Sequence, residues 1–481
     1  MSLREPFTSI WQRLANYGSF ELIEALFLRL LGFIYIVAFA SLWPQIVGLV
    51  GSHGIVPADQ MLPPMREALG ARVFIEVPTL FWFGINDAAL VWFCALGCIA
   101  GVALLAGFFS RTAAALCFLL YLSLVLVGQP FMGFQWDALL LESGFLALFA
   151  GTPWLVWGYR FLLFRLMFES GAVKLLSNDP NWRNLHALRF HFMTQPLPNP
   201  IAYYAYRLAP WMLDWSTAGT LAIELLCPFL LFAPRRFRYV AAALLILLQL
   251  LILVTGNYAF FNLLALALCL WAFDNRLFVP LAGVLRRRVP AVRRPVLRRA
   301  SSCVLAVLMA AGALQVIDMF GPGGARPGRK LLSVLEPFQI VNPYGLFAVM
   351  TTTRPEVVIE GSYDQVNWRE YSFKYKPGEL HRGLPLVAPY QPRLDWQMWF
   401  AALGTYQTNT WVGGLMYRLL TGDQAVLGLL NPPPFPQPPH YMRALLYDYQ
   451  FTSPAERART GAVWQRRLLG TWFGPVSLNG Q

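Results

Sequence analysis

Apolar and polar positions divide the chain into two unequal parts, of which the first consists of long apolar runs. Between residues 22 and 320 these runs are separated by short polar or arginine-bearing connections. About 20 helical residues are needed to cross the hydrocarbon core of a bilayer. The pattern therefore predicts nine membrane-spanning helices, near residues 22–50, 84–109, 112–128, 137–157, 160–176, 212–233, 239–255, 258–274 and 301–320.

A change of composition marks the end of these apolar runs. Residues 321–336 open with Gly321 and Pro322 and are predicted to be a linker. Residues 337–481 are mixed polar and aromatic, which is typical of a folded domain in water. We therefore divide the chain into a multispan helical domain of residues 1–320, the linker, and a C-terminal extramembrane domain.

Within the C-terminal part, the stretch 357–362 begins with three apolar residues and runs into turn-forming residues, after which polar and apolar residues alternate in 368–375. This pattern predicts two paired strands with one buried face. Helices are expected near 394–404 and 411–430, and the proline-rich stretch 431–439 is expected to be extended. The predicted fold is a polytopic α-helical bundle followed by a β-rich, sandwich-like or jelly-roll-like α+β domain.

Composition supports lipid as the solvent of the first part. The chain is 57% hydrophobic and only 13% charged, whereas soluble proteins carry about a quarter charged residues. The net charge of +13 is concentrated partly in arginine clusters at 235–238 and 286–299, each between two apolar runs. Such clusters are typical of cytoplasmic loops rather than of a nucleic-acid-binding surface. With Arg4 and Arg13 also inside, nine spans place the C-terminal domain outside.

Cysteine usage indicates that the extramembrane domain has no disulfide framework. All six cysteines lie in predicted spans, at positions 94, 98, 117, 227, 269 and 303. Thiol exchange is therefore not expected to be part of the function. The chain also lacks N-x-Ser/Thr acceptors, which favours the inner membrane of a bacterium over the endoplasmic reticulum.

Charged residues inside the spans are the first candidates for chemistry, because charge at membrane depth is costly. Lys174 is the only lysine among the first 329 residues. A buried lysine can lose its proton and act as a general base, with Glu169, Asp137 or Glu142 setting its ionisation. The alternative is an end-of-span lysine whose amine extends towards water. Arg165 and Glu169 are four residues apart and are expected to form an ion pair that orients helices.

Two external loops and the C-terminal domain supply candidate binding residues. The loops contain aromatic residues beside polar ones and lie at the predicted outer surface. The candidates are Gln135, Trp136, Trp182, Arg183, His191, Trp368 and Trp396, with Trp399 as a further exposed aromatic. Interfacial aromatics are also ordinary lipid anchors, and buried packing is expected for at least two of the three C-terminal tryptophans. The five histidines show no metal-binding spacing, and no nucleotide-binding motif is present, so neither a metal nor a cofactor is predicted.

Several long segments resemble one protein family. They are GQPFMGFQWDALLLESGF, FRLMFESGAVKL, DPNWRNLHALRFHFMTQPLPNP, NPYGLFAVMTTTRPEVVIEGS and APYQPRLDWQMWFAALGT. Through these segments the chain resembles the lipase maturation factor family over nearly its whole length. The resemblance implies a membrane-anchored maturation or assembly factor for secreted proteins such as lipases, with membrane lipid and a lipase-like client as partners and no nucleic acid. Animal members of the family work in the endoplasmic reticulum.

Shorter resemblances suggest other functions. Residues 171–175 resemble a segment of the vitamin K-dependent γ-carboxylase-like (HTTM) membrane family, where the lysine matching Lys174 is the catalytic base. This implies an alternative, a membrane-embedded enzyme. Residues 359–368 resemble a strand-turn motif of discoidin-like jelly rolls, which implies a binding module. A transporter ranks last, because the sequence shows no repeated halves.

Overall fold

The computed structural model describes residues 20–281, 283–285, 291–292, 294–321 and 328–478. A helical bundle comes first in the chain, and a mixed domain with a β-sheet follows it. The bundle and its external loops contain α1 (Glu21–Leu42), α2 (Ile46–Val50), α3 (Ala58–Leu69), α4 (Val73–Glu76), α5 (Asp87–Leu105), α6 (Ser110–Val127), α7 (Gln135–Ala147), α8 (Leu155–Leu176), α9 (Pro180–Arg183), α10 (Leu188–Thr194), α11 (Pro200–Ala205), α12 (Pro210–Leu230), α13 (Arg235–Thr255), α14 (Phe261–Cys269) and α15 (Pro295–Met319).

Five helices in the described part of the chain are long and apolar enough to cross a membrane, namely α1, α5, α6, α13 and α15. The other four predicted spans also coincide with helices: α7, α8, α12 and α14. Of these, α7 has 13 residues and α14 has nine, which is short for a bilayer crossing. The chain is thus a helical membrane protein, and the count of nine spans stays a prediction.

The boundary between the fourth and fifth predicted spans is wrong. The apolar run at 137–157 was assigned to one helix, but α7 ends at Ala147 and α8 begins at Leu155. Gly151 lies in the interruption with a φ of 79°, a backbone conformation that glycine adopts without steric cost. Because the interruption is apolar on both sides, its hydropathy does not distinguish it from the helices.

Close packing of α1 against α5 forms the centre of the bundle. Gly32 of α1 faces Gly101 of α5, and a Cβ atom built on Gly32 would lie 2.5 Å from the backbone nitrogen of Leu105. Small residues at such positions let two helix backbones approach each other. Phe27, Tyr35 and other apolar side chains of α1 are fully buried in this core.

The C-terminal domain contains a four-stranded antiparallel sheet and several short helices. Its elements are α16 (Arg329–Leu335), β1 (Pro355–Ser362), β2 (Arg369–Glu370), α17 (Arg393–Ala402), α18 (Trp411–Leu420), α19 (Gln424–Leu427), β3 (Tyr441–Phe451), α20 (Pro454–Thr460) and β4 (Trp464–Ser477). The strand order is β2-β1-β3-β4. The predicted hairpin is present, with Glu360 opposite Glu370 in β1 and β2.

The predicted sandwich or jelly roll is wrong. The described residues contain one sheet in this domain, and helix α17 packs against β1 where a sandwich would have a second sheet. Both predicted helical stretches are present, although a break before Gln424 divides the second into α18 and α19. Strands β3 and β4 were not predicted. Their exposure pattern is irregular, and β-bulges interrupt their pairing.

Some predictions concern residues that the description does not cover. Residues 322–327 of the predicted linker lie outside the described ranges, whereas residues 329–335 of it form α16. Arg4 and Arg13, and residues 286–290 and 293 of the second arginine cluster, also lie outside them. The orientation inferred from these arginines stays a prediction.

Candidate functional site

The charged residues of α7 and α8 form a buried network centred on Arg165. Its guanidinium donates to Glu142 of α7 at 2.6 Å and to Glu169, one turn along α8, at 3.3 Å. All three side chains are almost completely buried. Gly312 of α15 provides the space, because a Cβ at that position would lie 2.9 Å from the guanidinium. The predicted pair between Arg165 and Glu169 is thus present, with Glu142 as an additional partner.

The same network holds the start of the C-terminal domain. Arg165 donates to the carbonyl oxygen of Asn342 at 2.5 Å. The Tyr344 hydroxyl donates to Glu142 at 2.8 Å, and the Tyr344 backbone N–H donates to Glu169 at 2.8 Å. Burial raises the pKa of Tyr344 well above its usual value, so its hydroxyl remains a proton donor. Both carboxylates therefore join the bundle to the C-terminal domain.

Asp137 makes a second connection of this kind. The guanidinium of Arg393, at the start of α17, donates to both oxygens of Asp137 at 2.9 Å. Tyr121 of α6 donates its hydroxyl to the same carboxylate and accepts a bond from Arg393 at 3.1 Å. Arg393 also donates to the Phe131 carbonyl at 2.9 Å. Such bidentate geometry is the strong form of the arginine–carboxylate pair.

Lys174 pairs with a carboxylate that sequence reasoning missed. Its amine donates to both oxygens of Glu224 in α12, at 2.8 and 2.7 Å, and to the Ser170 carbonyl at 3.1 Å. It also lies 5.2 Å from the ring of Trp182. Glu169, Asp137 and Glu142, which we proposed to set the ionisation of this lysine, instead accept hydrogen bonds from Arg165 and Arg393.

The alternative prediction for Lys174, an amine extended towards water at the membrane surface, is also wrong. Its side chain is only 7% exposed and faces Glu224 inside the protein. A carboxylate in the middle of an otherwise apolar span was the available signal for this partner, since such a charge is rare without one. The ion pair connects α8 to α12, and the hydrogen bonds of the Lys174 amine are made within the protein.

The loop after α8 is bound to the C-terminal domain as well. The Trp182 indole donates to the Phe347 carbonyl at 2.9 Å, and Asp179 accepts from the Met350 backbone N–H at 2.5 Å. His191 lies 3.0 Å from the Tyr258 hydroxyl. Burial and the nearby Lys174 charge lower the pKa of His191 to about 4, so the imidazole is neutral at neutral pH.

Arg354, which the sequence analysis did not single out, forms a further connection. It precedes β1, is fully buried, and donates to the carbonyl oxygens of Met193, Gln195 and Pro196 in the external loop. Glu356 of β1 lies 2.8 Å from Arg354 and 2.8 Å from Lys376 and forms an ion pair with each. A pattern of isolated arginines does not reveal such partners, because the acceptors are backbone carbonyls.

Aromatic residues from the bundle and from α17 meet at this junction. Trp136 and Trp396 contact each other with ring centroids 4.7 Å apart, and Trp396 also packs on Tyr258. Gln135 is half-buried, and its amide makes no hydrogen bond with the described residues. Trp396 is only 3% exposed, so the expected buried packing is present and this residue is not an exposed client contact. Trp399 is also buried and donates to the Thr194 carbonyl at 2.9 Å.

The predicted binding residues therefore do not form one open surface. Trp136, Trp182 and Trp396 are internal, whereas Arg183 is exposed and Trp368 is half-exposed. Arg443 lies 4.2 Å above the ring of Trp368. Most of the candidates lie instead at the junction between the helical bundle and the C-terminal domain. Contact of these residues with a client stays a prediction.

Neither a disulfide nor a metal centre occurs among the residues that the structure describes. The six cysteines are unpaired, and no group of three or more histidine, cysteine or acidic side chains is arranged to hold a metal there. The described chemistry of the junction consists of ion pairs, hydrogen bonds and aromatic packing.

Comparison with known proteins shows similarity along nearly the whole chain. Residues 22–279 match the Lipase maturation factor transmembrane domain, and residues 340–474 match the Lipase maturation factor C-terminal domain. Lipase maturation factor 1 of Bos taurus is 35% identical over 508 aligned positions, which cover 96% of this chain and 90% of the relative. Lipase maturation factor 2 of Gallus gallus is 36% identical over 576 positions, covering 94% and 80%. No solved structure matches the chain.

Proposed function

This chain belongs to the lipase maturation factor family, and on that premise we propose that it is a membrane-anchored factor that helps secreted lipases to fold or assemble. The observation that carries the proposal is the extent of the similarity. It includes both the helical bundle and the C-terminal domain and covers 90% of the Bos taurus relative named Lipase maturation factor 1. A shared bundle alone would support only a shared anchor.

The architecture supports a rigid platform at the membrane. Arg393, Arg165 and Arg354 connect the C-terminal domain to the bundle and its loops through buried hydrogen bonds. A domain held in this way presents its outer surface to a client at a fixed distance from the lipid. Pre-organisation of this kind lowers the entropy cost of binding.

The proposal includes a topology. We place nine spans in the membrane, the N-terminus in the cytoplasm and the C-terminal domain outside, where a secreted client would meet it. The arginine clusters at 235–238 and 286–299 support this orientation through the positive-inside rule. The corresponding membrane is the inner membrane of a bacterium, or the endoplasmic reticulum membrane if the chain is eukaryotic.

The hypothesis of a membrane-embedded enzyme gains no support from the geometry. A general base needs an accessible amine whose proton can leave. The Lys174 amine instead binds both oxygens of Glu224 and is almost completely buried. An ion pair between two helices is a sufficient explanation of this lysine.

Co-expression with secreted lipases of the same organism tests the proposal. We expect the chain to increase lipase activity per unit of lipase protein, because more of the client reaches its folded state. An unrelated secreted enzyme in the same cells is the control for a general effect on secretion. Equal specific activity of the lipases with and without the chain would contradict the proposal.

A further inference from the structure

A cleft of about 460 Å³ lies in the C-terminal domain, apart from the junction. One wall is the proline-rich segment 431–439, here called the proline strap. The opposite wall is formed by the end of α18 and by α19. Pockets that bind small ligands or peptide segments commonly have volumes of about 300 to 1,000 Å³.

The walls of the cleft are fixed before any ligand binds. The strap begins with Asn431, whose backbone N–H donates to the Ser372 carbonyl at 3.0 Å. Near its other end, the Tyr363 hydroxyl donates to the Gln437 carbonyl at 2.9 Å. The prolines between these points have a nearly fixed φ, which makes the strap stiff. Gly361 of β1 leaves room for Phe435, which would lie 2.9 Å from a Cβ there.

The lining combines an apolar floor with polar groups suited to a peptide. Phe435 and Leu430 are buried, whereas Gln424 and Gln437 are exposed, and all four residues line the cleft. Tyr371 also lines the cleft and is only 4% exposed. Burial raises the pKa of Tyr371 to about 12, so the hydroxyl remains a donor.

The charge at the cleft is positive. Lys374 lines it and is exposed, and its amine donates to the Gly428 carbonyl. None of the residues lining the cleft is acidic. Arg369 holds the other side of the strap by donating to the Pro434 carbonyl at 3.2 Å. A ligand with a carboxylate is therefore favoured over a basic one.

We infer that this cleft binds an extended segment of the client polypeptide in which an acidic residue lies beside apolar ones. The apolar side chains occupy the floor at Phe435 and Leu430, the peptide amides bond to Gln424, Gln437 and Tyr371, and the carboxylate faces Lys374. The inference rests on the proposed function, because it identifies how a client is held. Extended peptides are commonly recognised by this combination of an apolar groove and fixed polar groups.

Peptide binding to the purified full-length chain in nanodiscs is the first test. The probes are fluorescent decapeptides with the core Leu-Phe-Asp-Leu, the same core with Asn, and the same core with Lys. We expect the Asp peptide to bind about two- to fivefold more tightly than the Asn peptide. K374E should reverse that order, whereas K330E, an equal charge change on exposed α16, should preserve it. Y371F keeps the ring and should weaken binding about two- to tenfold.

Equal affinity for the three peptides, an order of affinities unchanged by K374E, or an affinity unchanged by Y371F would overturn the inference. Displacement of the Asp peptide by laurate at equal concentration would overturn it too, since the cleft would then be an acyl-chain site.

Photocrosslinking in cells separates failure of this inference from failure of the proposed function. A photoreactive residue replaces Gln424 in the cleft, and the control replaces Gln450, which is exposed on β3. We expect a lipase adduct at position 424 and not at 450. Lipase adducts at position 450 alone would contradict client binding in the cleft but would not contradict the maturation role. Acidic-peptide binding at the cleft without any gain in lipase activity would instead overturn the maturation role.

Discussion

Arg393 and Asp137 are 256 positions apart in the chain and form a bidentate ion pair with both N–O distances at 2.9 Å. Their side chains are 0% and 1% exposed. Arg393 begins a helix of the C-terminal domain, and Asp137 belongs to the fourth predicted span. A residue that sequence reasoning proposed for catalysis thus joins the two parts of the molecule.

Replacement of Arg393 by methionine should strongly destabilise the protein. It leaves Asp137 buried without its charge partner, which typically costs about 3–5 kcal/mol. Thermal unfolding in nanodiscs, followed by protease sensitivity of the C-terminal domain, measures the effect. The matched control is Arg467→Met, because Arg467 is 79% exposed and lies 4.0 Å from its carboxylate. We expect Arg467→Met to change the free energy of unfolding by no more than about 0.5 kcal/mol.

The double variant Asp137→Leu with Arg393→Met should recover part of the lost stability. Removing both charges relieves the desolvation cost that a lone buried carboxylate leaves behind. A double variant less stable than Arg393→Met alone would contradict the assignment of this pair.

Gly312→Ala should weaken the Arg165 network. The new Cβ would lie 2.9 Å from the Arg165 side chain, and the guanidinium must move away from Glu142 and Glu169 to accommodate it. Overpacking of this kind costs about 1–3 kcal/mol. Gly219→Ala in α12 is the control, since a Cβ there meets nothing within 4 Å. If the unfolding temperatures of the two variants shift by the same amount, the space beside Arg165 does not determine the stability of the network.

Acid should destabilise the external loop through His191. The pKa of His191 is lowered from 6.5 to about 4 in the folded protein, chiefly by burial. Between these values the unfolded chain binds a proton that the folded chain does not. The free energy of unfolding therefore falls as the pH drops from about 6.5 to about 4, by at most about 3 kcal/mol. Unfolding temperatures between pH 7.5 and pH 4.5 measure this loss.

The free energy of unfolding of His191→Gln should fall less over the same pH range, because glutamine does not titrate. His381→Gln, which changes an exposed histidine, should behave like the parent chain. If the unfolding temperatures of the parent chain and His191→Gln depend on pH in the same way, protonation of His191 is not the cause of the acid destabilisation.

Local patterns predicted those features that depend on nearby residues. Apolar runs located the five long apolar helices, and the spacing of four residues located the pair between Arg165 and Glu169. Alternation located the hairpin of β1 and β2. These signals are contained within one element or within two adjacent ones, which is why the sequence alone reveals them.

Long-range partners were not predictable from the same signals. Lys174 and Glu224 are 50 positions apart, and neither residue type specifies the other. Trp396 was a candidate contact because it is aromatic, but Trp136 and Tyr258, from distant parts of the chain, pack against it. We proposed that nearby carboxylates of α7 and α8 set the ionisation of Lys174. In the folded protein these carboxylates instead bind arginine side chains.

The most direct test of the proposed role is the specific activity of a co-expressed secreted lipase with the parent chain, with Lys174→Arg, and with no chain. Arginine keeps the charge that pairs with Glu224 but does not act as a base. We predict that the parent chain and Lys174→Arg raise lipase activity equally. Loss of the gain in Lys174→Arg, with an unchanged unfolding temperature, would contradict a purely structural lysine and favour an enzyme. No gain with the parent chain would contradict the maturation role itself.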